Sequence, residues 1–173
     1  VMDPQSPQVL YALMVDGGLY KTTNGGASWT SIAGILTDSL EVKDLGISHQ
    51  NGSLLYAGTS AGCYRSLDGG GSWEQDSSSS DIRSLAVSPE NDQTVFAGTP
   101  TGVYKSGDAG LSWIQALALS SVNVLKFAPG QPEKLFALGY QLGISLDGGE
   151  TWSTSSSWVG TYPHDLAIDP GNP

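Results

Sequence analysis

The stretch Ser145-Leu146-Asp147-Gly148-Gly149-Glu150-Thr151-Trp152 decides the fold, because the chain carries four versions of it. The other three lie at 22–29, 66–73 and 106–113, and together they have the form Ser/Thr-x-Asp/Asn-x-Gly-x-Ser/Thr-Trp. Their tryptophans follow one another at intervals of 44, 40 and 39 residues. A repeat period near 40 residues is typical of β-propellers and of other arrays of stacked supersecondary units. We call this eight-residue motif the box.

Four short strand types, which we name A to D in chain order, accompany each box. The A strands are predicted at 44–48, 84–88, 124–128 and 165–169, the B strands at 10–12, 55–57, 95–97 and 135–137, and the C strands at 19–21, 63–65, 103–105 and 142–144. Each D strand starts at a box tryptophan. In these segments apolar side chains recur at every second residue, and a period of two residues predicts strands. Small residues on one face of the A strands (Gly46, Ala86 and Ala167) suit the crowded centre of a propeller.

The sequence therefore predicts one all-β unit, a β-propeller of four-stranded antiparallel blades, with four blade repeats over residues 1–173. The repeats are about 1–47, 48–87, 88–127 and 128–173. Residues 1–7 align with residues 167–173, so a spare A strand at 165–169 either closes a ring of four blades or begins a fifth blade. Because both ends would claim the same place on closure, we favour a segment of a larger ring, or a half-ring that pairs with another copy.

The composition limits the partners of the chain. Its 173 residues carry a formal net charge of −10, and the seven basic residues are scattered singly. No basic cluster neutralises phosphates, which argues against nucleic acid and anionic membrane as partners. No apolar run is long enough for membrane insertion. Cys63 stands alone in a slot that is apolar in the other repeats, so we expect a buried side chain rather than a reactive thiol.

The box is predicted to be a turn between strands C and D. Its aspartate accepts backbone N–H groups of its own turn, its glycines supply positive φ, and its tryptophan buries a ring between blades. Calcium binding or acid–base chemistry is the alternative, but one aspartate per repeat is not a metal cluster. We therefore predict no metal and no cofactor. The structural box residues are Asn24, Trp29, Asp68, Trp73, Asp108, Trp113, Asp147 and Trp152.

The box, preceded by strand C segments such as Gly-Val-Tyr-Lys at 102–105, resembles the Asp-box (BNR) repeat. The resemblance covers essentially the whole chain. It implies a β-propeller, and it suggests a secreted, periplasmic or cell-surface location. The family includes bacterial sialidases, xyloglucan-cleaving hydrolases, sortilin-type receptors and a photosystem II assembly factor. Since one fold serves all of these, the function has to be argued from a site.

The resemblance suggests two kinds of catalysis, sialidase-like and xyloglucanase-like. Sialidase-like chemistry implies three arginines around a carboxylate and a Tyr–Glu pair, and this chain has only Arg65 and Arg83. Xyloglucanase-like chemistry needs two carboxylates across a cleft. The segment 11–20 loosely resembles the one that carries one such acid, with Asp16 in its place, but the second acid would normally come from another propeller. No catalytic residue is therefore assigned, and the chain is expected not to be an enzyme.

The D–A connections vary most among the repeats, at 30–43, 74–81, 114–121 and 153–163. The last holds Trp158 and Tyr162, and Tyr140 is expected on the same face. Aromatic rings on loops anchor glycans or proteins, although Trp158 would also serve to cover the core. We predict a non-catalytic scaffold or binding module that contacts protein or carbohydrate, with Trp158, Tyr162, Tyr140 and Asp16 as candidate ligand-binding residues. The alternative is a fragment or subunit of a secreted glycoside hydrolase, xyloglucanase-like more than sialidase-like. Self-association or further blades would complete the ring.

Overall fold

A computed structural model of the chain describes residues 1–14, 18–32, 34, 40–76, 80–155 and 163–169. These ranges hold fifteen strands and no helix. Accordingly, no apolar helix of membrane-spanning length occurs in them. The strands are β1 (Leu10–Leu13), β2 (Leu19–Thr22), β3 (Thr30–Ser31), β4 (Val42–Ile47), β5 (Leu55–Thr59), β6 (Gly62–Ser66), β7 (Glu74–Gln75), β8 (Ser84–Val87), β9 (Val95–Thr99), β10 (Gly102–Ser106), β11 (Ile114–Ala118), β12 (Val124–Ala128), β13 (Gln131–Leu138), β14 (Leu142–Ser145) and β15 (Ser153–Thr154).

The strands form four antiparallel sheets in which chain neighbours pair with each other. Blade 2 consists of β4 to β7, blade 3 of β8 to β11 and blade 4 of β12 to β15. Blade 1 consists of β1 to β3, and the first residues of the chain lie where its A strand belongs. There Met2 forms a bridge with Leu10, and Val1 and Tyr11 exchange two backbone hydrogen bonds of 2.8 Å. This arrangement confirms the predicted all-β propeller architecture with antiparallel blades.

The hydrophobic core lies in the seams between blades, since a single thin sheet cannot bury both of its faces. Leu19 of blade 1 packs in one cluster with Tyr64 and Trp73 of blade 2. A second cluster joins blades 2 and 3, and a third joins blades 3 and 4. The inner strands touch in the same order: the B strand β1 of blade 1 contacts the A strand β4, β4 contacts the A strand β8, and β8 contacts the A strand β12. The blades therefore stack face to face around an axis, with the A strands innermost.

The four blades form an arc rather than a closed ring. The A strand expected at 165–169 is not a strand in the structure, and these residues do not complete blade 1. They reach blade 4 instead, where Lys126 Nζ donates a hydrogen bond of 2.9 Å to the carbonyl oxygen of Leu166. Val1–Asp3 take the place beside β1, so residues 165–169 do not pair there. The four blades therefore do not close on one another, as in part of a larger ring.

Packing between blades explains two departures from the repeat pattern. Gly143 stands where the other C strands have tyrosine, and a Cβ there would lie 2.7 Å from Cδ2 of Leu117. A side chain of blade 3 thus fills the space that the missing tyrosine leaves in blade 4. Cys63 is fully buried between blades 2 and 3. Burial, together with the nearby carboxylate of Asp76, raises the pKa of its thiol well above the usual range.

Candidate functional site

The blades bring four equivalent residues together at the start of their A strands. Lys43, Arg83, Asn123 and His164 occupy one repeat position, and all four line a central cavity of about 410 Å³. They are about 40 residues apart in sequence, and they converge because each blade presents the same strand end to the axis. One position of the repeat thus places a polar or charged side chain from each repeat around one cavity.

Two of these residues, Lys43 and Arg83, share one carboxylate, and Arg83 joins a third, Asn123, to them. Lys43 Nζ lies 2.7 Å from Asp81 Oδ1, and Arg83 Nε lies 3.2 Å from Asp81 Oδ2. Arg83 Nη1 also donates to Ser121 Oγ at 2.8 Å and to Asn123 Oδ1 at 3.1 Å. This network runs from blade 2 through blade 3 to blade 4 and fixes the cationic groups at the rim of the cavity.

The charge on Asp81 follows from two opposed effects. Its partial burial alone would raise the pKa, but the hydrogen bonds and positive charges of Lys43 and Arg83 lower it below its ordinary value. Asp81 is therefore ionised at neutral pH. Lys43 Nζ also lies 3.7 Å from Glu41 Oε2, so an anionic ligand would compete with two carboxylates for the two cations.

A second chain of hydrogen bonds joins the A strands across the seams. The Asp44 carboxylate accepts the backbone N–H of Leu85 at 2.7 Å and the hydroxyl of Ser84 at 3.2 Å. Ser84 Oγ in turn accepts the backbone N–H of Leu125 at 3.0 Å. Asp44 thus positions the strands that line the cavity, because its oxygens are engaged with the neighbouring blade.

Lys126 breaks the pattern of small residues on the axial face of the A strands. It occupies the slot of Gly46, Ala86 and Ala167, and its side chain lines the same cavity. It pairs with Asp165, and the hydrogen bond from Lys126 is the main cause that lowers the pKa of that carboxyl. Three of the seven basic residues of an acidic chain therefore lie at one cavity.

The axial space has an apolar end as well. A second cavity of about 360 Å³ lies against the later part of the A strands and is lined by residues that include Met2, Ile47, Val87 and Phe127. A ligand that enters along the axis would meet charged groups at one end and apolar side chains at the other. Few polar groups at defined places in a concave, partly apolar surface are the usual form of a binding site.

Tyr140 lies near the polar end of the cavity. Its ring side chain is exposed, and its backbone N–H donates to the carbonyl of Ser120 at 3.1 Å. The next residue, Ser121, accepts the hydrogen bond from Arg83. Tyr140 does not line the cavity itself, and its role in binding stays a prediction. Three other candidates, Asp16, Trp158 and Tyr162, lie outside the described residues, and their roles stay predictions.

The box carboxylates are engaged within their own turns. Asp68 accepts the backbone N–H of Ser72 at 2.9 Å, its hydroxyl at 2.7 Å and the Ser66 hydroxyl at 2.8 Å. Asp108 and Asp147 repeat this set of contacts with Ser112 and Thr151. The hydrogen bond from that serine or threonine side chain is the largest cause that lowers the pKa of each aspartate to about 2.

Asn24 makes the corresponding contacts in the first box. Its Oδ1 accepts the backbone N–H of Ser28 at 2.9 Å, and its Nδ2 donates to Ser28 Oγ at 2.8 Å. Across the described ranges, no three side chains of His, Cys, Asp or Glu are grouped so that they would hold a metal ion.

Sequence reasoning missed the central cations as a site. Arg83 was considered only as one of two arginines that are too few for sialidase-like chemistry, and its position was not compared across the repeats. Two signals were present: the polar slot shared by Lys43, Arg83 and Asn123, and Lys126 in a row of small residues. Both become informative only once the A strands are taken as neighbours around an axis.

Comparison with known proteins identifies the fold without giving a family. No protein-family model matches the chain. No curated protein matches it either. Solved structures do match: an ancestral GH74 enzyme has 22% identity and a TM-score of 0.73 over 88% of this chain and 23% of that one. The GH74 xyloglucanase from Xanthomonas campestris has 17% identity and a TM-score of 0.73 over 91% of this chain and 30% of its own.

A second group of similar structures consists of YCF48 proteins. YCF48 bound to D1 peptide has 15% identity and a TM-score of 0.54, over 87% of this chain and 79% of that one. The present chain spans less than a third of the GH74 chains and most of this YCF48 chain. At such identities the likeness shows a shared β-propeller fold.

Proposed function

We propose that the chain is a non-catalytic Asp-box β-propeller module that binds an extended, carboxylate-bearing segment of a partner protein at its central cavity. The observation that carries this proposal is the convergence of Lys43, Arg83 and Lys126 on one cavity of a chain with net charge −10. Asp44 and Asp165 also line the cavity, but their carboxylates are engaged with Leu85 and with Lys126, so an anionic group favours the side that holds Arg83.

The size and the donor geometry fit a short peptide. A volume of about 410 Å³ lies within the range of ordinary ligand pockets, about 300–1,000 Å³. Arg83 already donates from Nε and Nη1, and this holds the guanidinium plane in place. A planar guanidinium has five N–H donors; Nε and Nη1 use three of them here, which leaves the two N–H groups of Nη2 for a carboxylate of a ligand.

The similar structures support a peptide ligand over a glycan. One of the YCF48 structures is bound to D1 peptide, and it shares this fold over 79% of its length. Carbohydrate is the other ligand class, for which the exposed ring of Tyr140 and the aromatic residues Trp158 and Tyr162 would serve as stacking platforms. In either case we propose an extracytoplasmic location.

A fragment of a glycoside hydrolase is the second candidate, and the likeness to GH74 structures favours it. Such catalysis needs a carboxyl group held protonated at neutral pH. Each described carboxyl with a clear pKa shift is shifted downward, including Asp81 and Asp165 at the cavity. The candidate acid Asp16 would have to supply this function. We therefore rank hydrolysis below binding.

The test is a binding titration with a matched pair of basic residues. A fluorescein-labelled, Asp/Glu-rich decapeptide is titrated with the chain and with the variants Arg83→Met and Lys134→Met. Arg83 lies at the cavity, whereas Lys134 lies over the ring of Phe136 in blade 4. We expect Arg83→Met to weaken binding at least about tenfold, since a hydrogen bond to a charged group contributes about 1.5–3 kcal/mol. Lys134→Met should leave the affinity unchanged.

The outcomes separate the candidates. Equal loss in both variants, or no binding of the peptide, contradicts the central site. Release of sugar from xyloglucan by the same preparation would place hydrolysis first. For the aromatic candidates, the triple change of Tyr140, Trp158 and Tyr162 to alanine should weaken binding, and unchanged affinity in a folded variant would remove them from the site.

We propose that further blades, from a longer chain or from another copy, lie against the end faces of the arc. Such contacts would cover the sheet faces that blades 1 and 4 turn away from the other blades.

A further inference from the structure

The three seams within the chain are built from contacts of the same kinds. An aromatic residue of each B strand lies under a box glycine of the next blade. A Cβ at Gly110 or Gly149, which hold the same box position, would lie 3.4 Å from Tyr56 Cε1 and 2.4 Å from Phe96 Cε1. In the first seam the ring of Tyr11 lies under the preceding box glycine, where a Cβ at Gly69 would lie 3.3 Å from Tyr11 Oη. The back face of one blade therefore always supplies an aromatic ring, and the front face of the next supplies a box turn without side-chain bulk.

A cation of each C strand adds a second recurrent contact. Lys21 Nζ donates to the carbonyl of Gly69 at 3.0 Å, and Arg65 Nη1 donates to the carbonyl of Ala109 at 3.2 Å. At the third seam Lys105 pairs instead with the side-chain carboxylate of Glu150, which belongs to the box of blade 4. Each cation reaches from the back face of one blade to the box turn of the following blade.

The box tryptophan adds a contact in the opposite direction at the first two seams, whereas Trp152 Nε1 at the third seam donates to the carbonyl of Gly149 of its own turn at 3.3 Å. Trp73 Nε1 donates to the carbonyl of Ile32 in the preceding blade at 3.2 Å. Trp113 Nε1 likewise donates to Asp76 Oδ2 at 2.7 Å. A seam is therefore a heterologous contact between a back face, with an aromatic ring, and a front face, with a box turn and its tryptophan.

The two ends of the arc present the two halves of such a seam. Blade 1 has the front half, and its Trp29 is 42% exposed, whereas the equivalent Trp73 is 5% exposed. Blade 4 has the back half, where Phe136 takes the position of Tyr11, Tyr56 and Phe96 and is only partly buried. Neither half meets its counterpart among the described residues.

We infer that a second copy of this chain docks head to tail on the arc, with the back face of blade 4 against the front face of blade 1. The inference rests on the proposed completion of the arc, and it commits to a copy as the occupant because both halves of an interface already made three times are present on one molecule. Heterologous contacts that close generate rings. Two arcs supply eight blades, within the usual propeller range of about four to eight, whereas three arcs exceed it.

One contact is missing from the seam between copies. Ile144 occupies the position of Lys21, Arg65 and Lys105, so the back face of blade 4 has no cation for the box turn. The docking should be weaker than the internal seams and therefore reversible. Ile144→Lys restores the cation, and it should tighten the association up to about fivefold, as a partly exposed polar contact would.

The experiment measures the mass of the full chain by sedimentation velocity from about 1 to about 300 μM. We expect a transition from 18.0 kDa to a discrete species of twice that mass. Trp29→Glu and Phe136→Glu each place a charge in both seams of a closed pair, and each should raise the dissociation constant at least about a hundredfold. Leu67→Glu is the matched control, because Leu67 is exposed on the internal blade 2 and should not affect association.

Mixing the two variants tests the head-to-tail geometry. In a mixed pair one seam is intact and the other carries both charges, so the mixture should associate where neither variant does alone. Circular dichroism melts of each variant verify that it is folded. A chain that stays at 18.0 kDa over the whole range, a mass that grows without limit, or a mixture no better than its components overturns the inference. A monomer that binds the acidic decapeptide overturns this inference alone, and a dimer that does not bind it overturns only the proposed function.

Discussion

Replacement of a single box glycine provides a direct test of the seam packing. Gly148 and Gly149 are neighbours in the box of blade 4, and both have positive φ, 69° and 84°. A Cβ at Gly148 meets nothing within 4 Å, whereas a Cβ at Gly149 would lie 2.4 Å from both Cε1 and Cζ of Phe96. Phe96 is fully buried and makes an edge contact with Phe127 at a centroid distance of 5.9 Å, so its ring has little room to move.

These distances give an expected magnitude for each change. Alanine in the left-handed region costs about 1–2 kcal/mol at either position. Overpacking against a buried ring adds about 1–3 kcal/mol at Gly149 only. We therefore expect Gly148→Ala to lower the free energy of unfolding by about 1–2 kcal/mol and Gly149→Ala by about 2 kcal/mol more. The effect of alanine on the unfolded chain is common to both variants and cancels in their difference.

The assay is urea unfolding, followed by circular dichroism, of the two variants and of the same pair in a Phe96→Leu background. The smaller Leu side chain should remove most of the additional cost of Gly149→Ala and leave the cost of Gly148→Ala unchanged. If the two alanine variants are equally destabilised, or if Phe96→Leu does not change their difference, the close contact between blades 3 and 4 is refuted.

Three further predictions concern the same blade and its seam. Asp147 has a pKa of about 2, below the ordinary value of about 3.9, so its contribution to stability is complete above about pH 4 and is lost as the pH falls towards 2. The variant Asp147→Asn should therefore lose less unfolding free energy over that pH interval. An unchanged slope in pH-dependent urea titrations would argue against the box hydrogen bonds. Gly143→Tyr should destabilise the fold by about 1–3 kcal/mol through a clash with Leu117, and Leu117→Ala should relieve most of that loss; additive losses in thermal unfolding would contradict the fit. The contact of Lys105 with the exposed Glu150 should show a coupling energy below about 1 kcal/mol in a double-mutant cycle, reduced further by 0.5 M salt, and a larger, salt-independent value would show that the contact is buried.

The box turns could be predicted well because their structure is local. In each box the aspartate bonds to groups two to four residues away, and the glycines that follow supply the positive φ. A motif of this kind folds in the same way wherever it occurs, so four copies at a period near 40 residues indicated the fold directly. The alternating strands added the rest of each blade, since period two specifies a strand and its faces.

The central site could not be predicted in the same manner. Asp81 lies 38 residues from Lys43, and Arg83 lies 40 residues from Asn123, so no local spacing connects them. The aromatic candidates came from loop composition, and of these the structure describes only Tyr140. The contact of Gly143 with Leu117, where the other repeats have a tyrosine, could not be predicted either, because the two residues belong to different blades.

The sequence by itself determined the blade: where each turn and strand lies, which residues are apolar, and how often the unit is repeated. Only the tertiary structure decided which residues meet at the axis, which side chains fill each seam, and that the four blades stop short of a ring. The physical reason is the range of the interactions. Backbone geometry and turn hydrogen bonds act over a few residues, whereas seams and the central cavity arise from the stacking of whole blades about one axis.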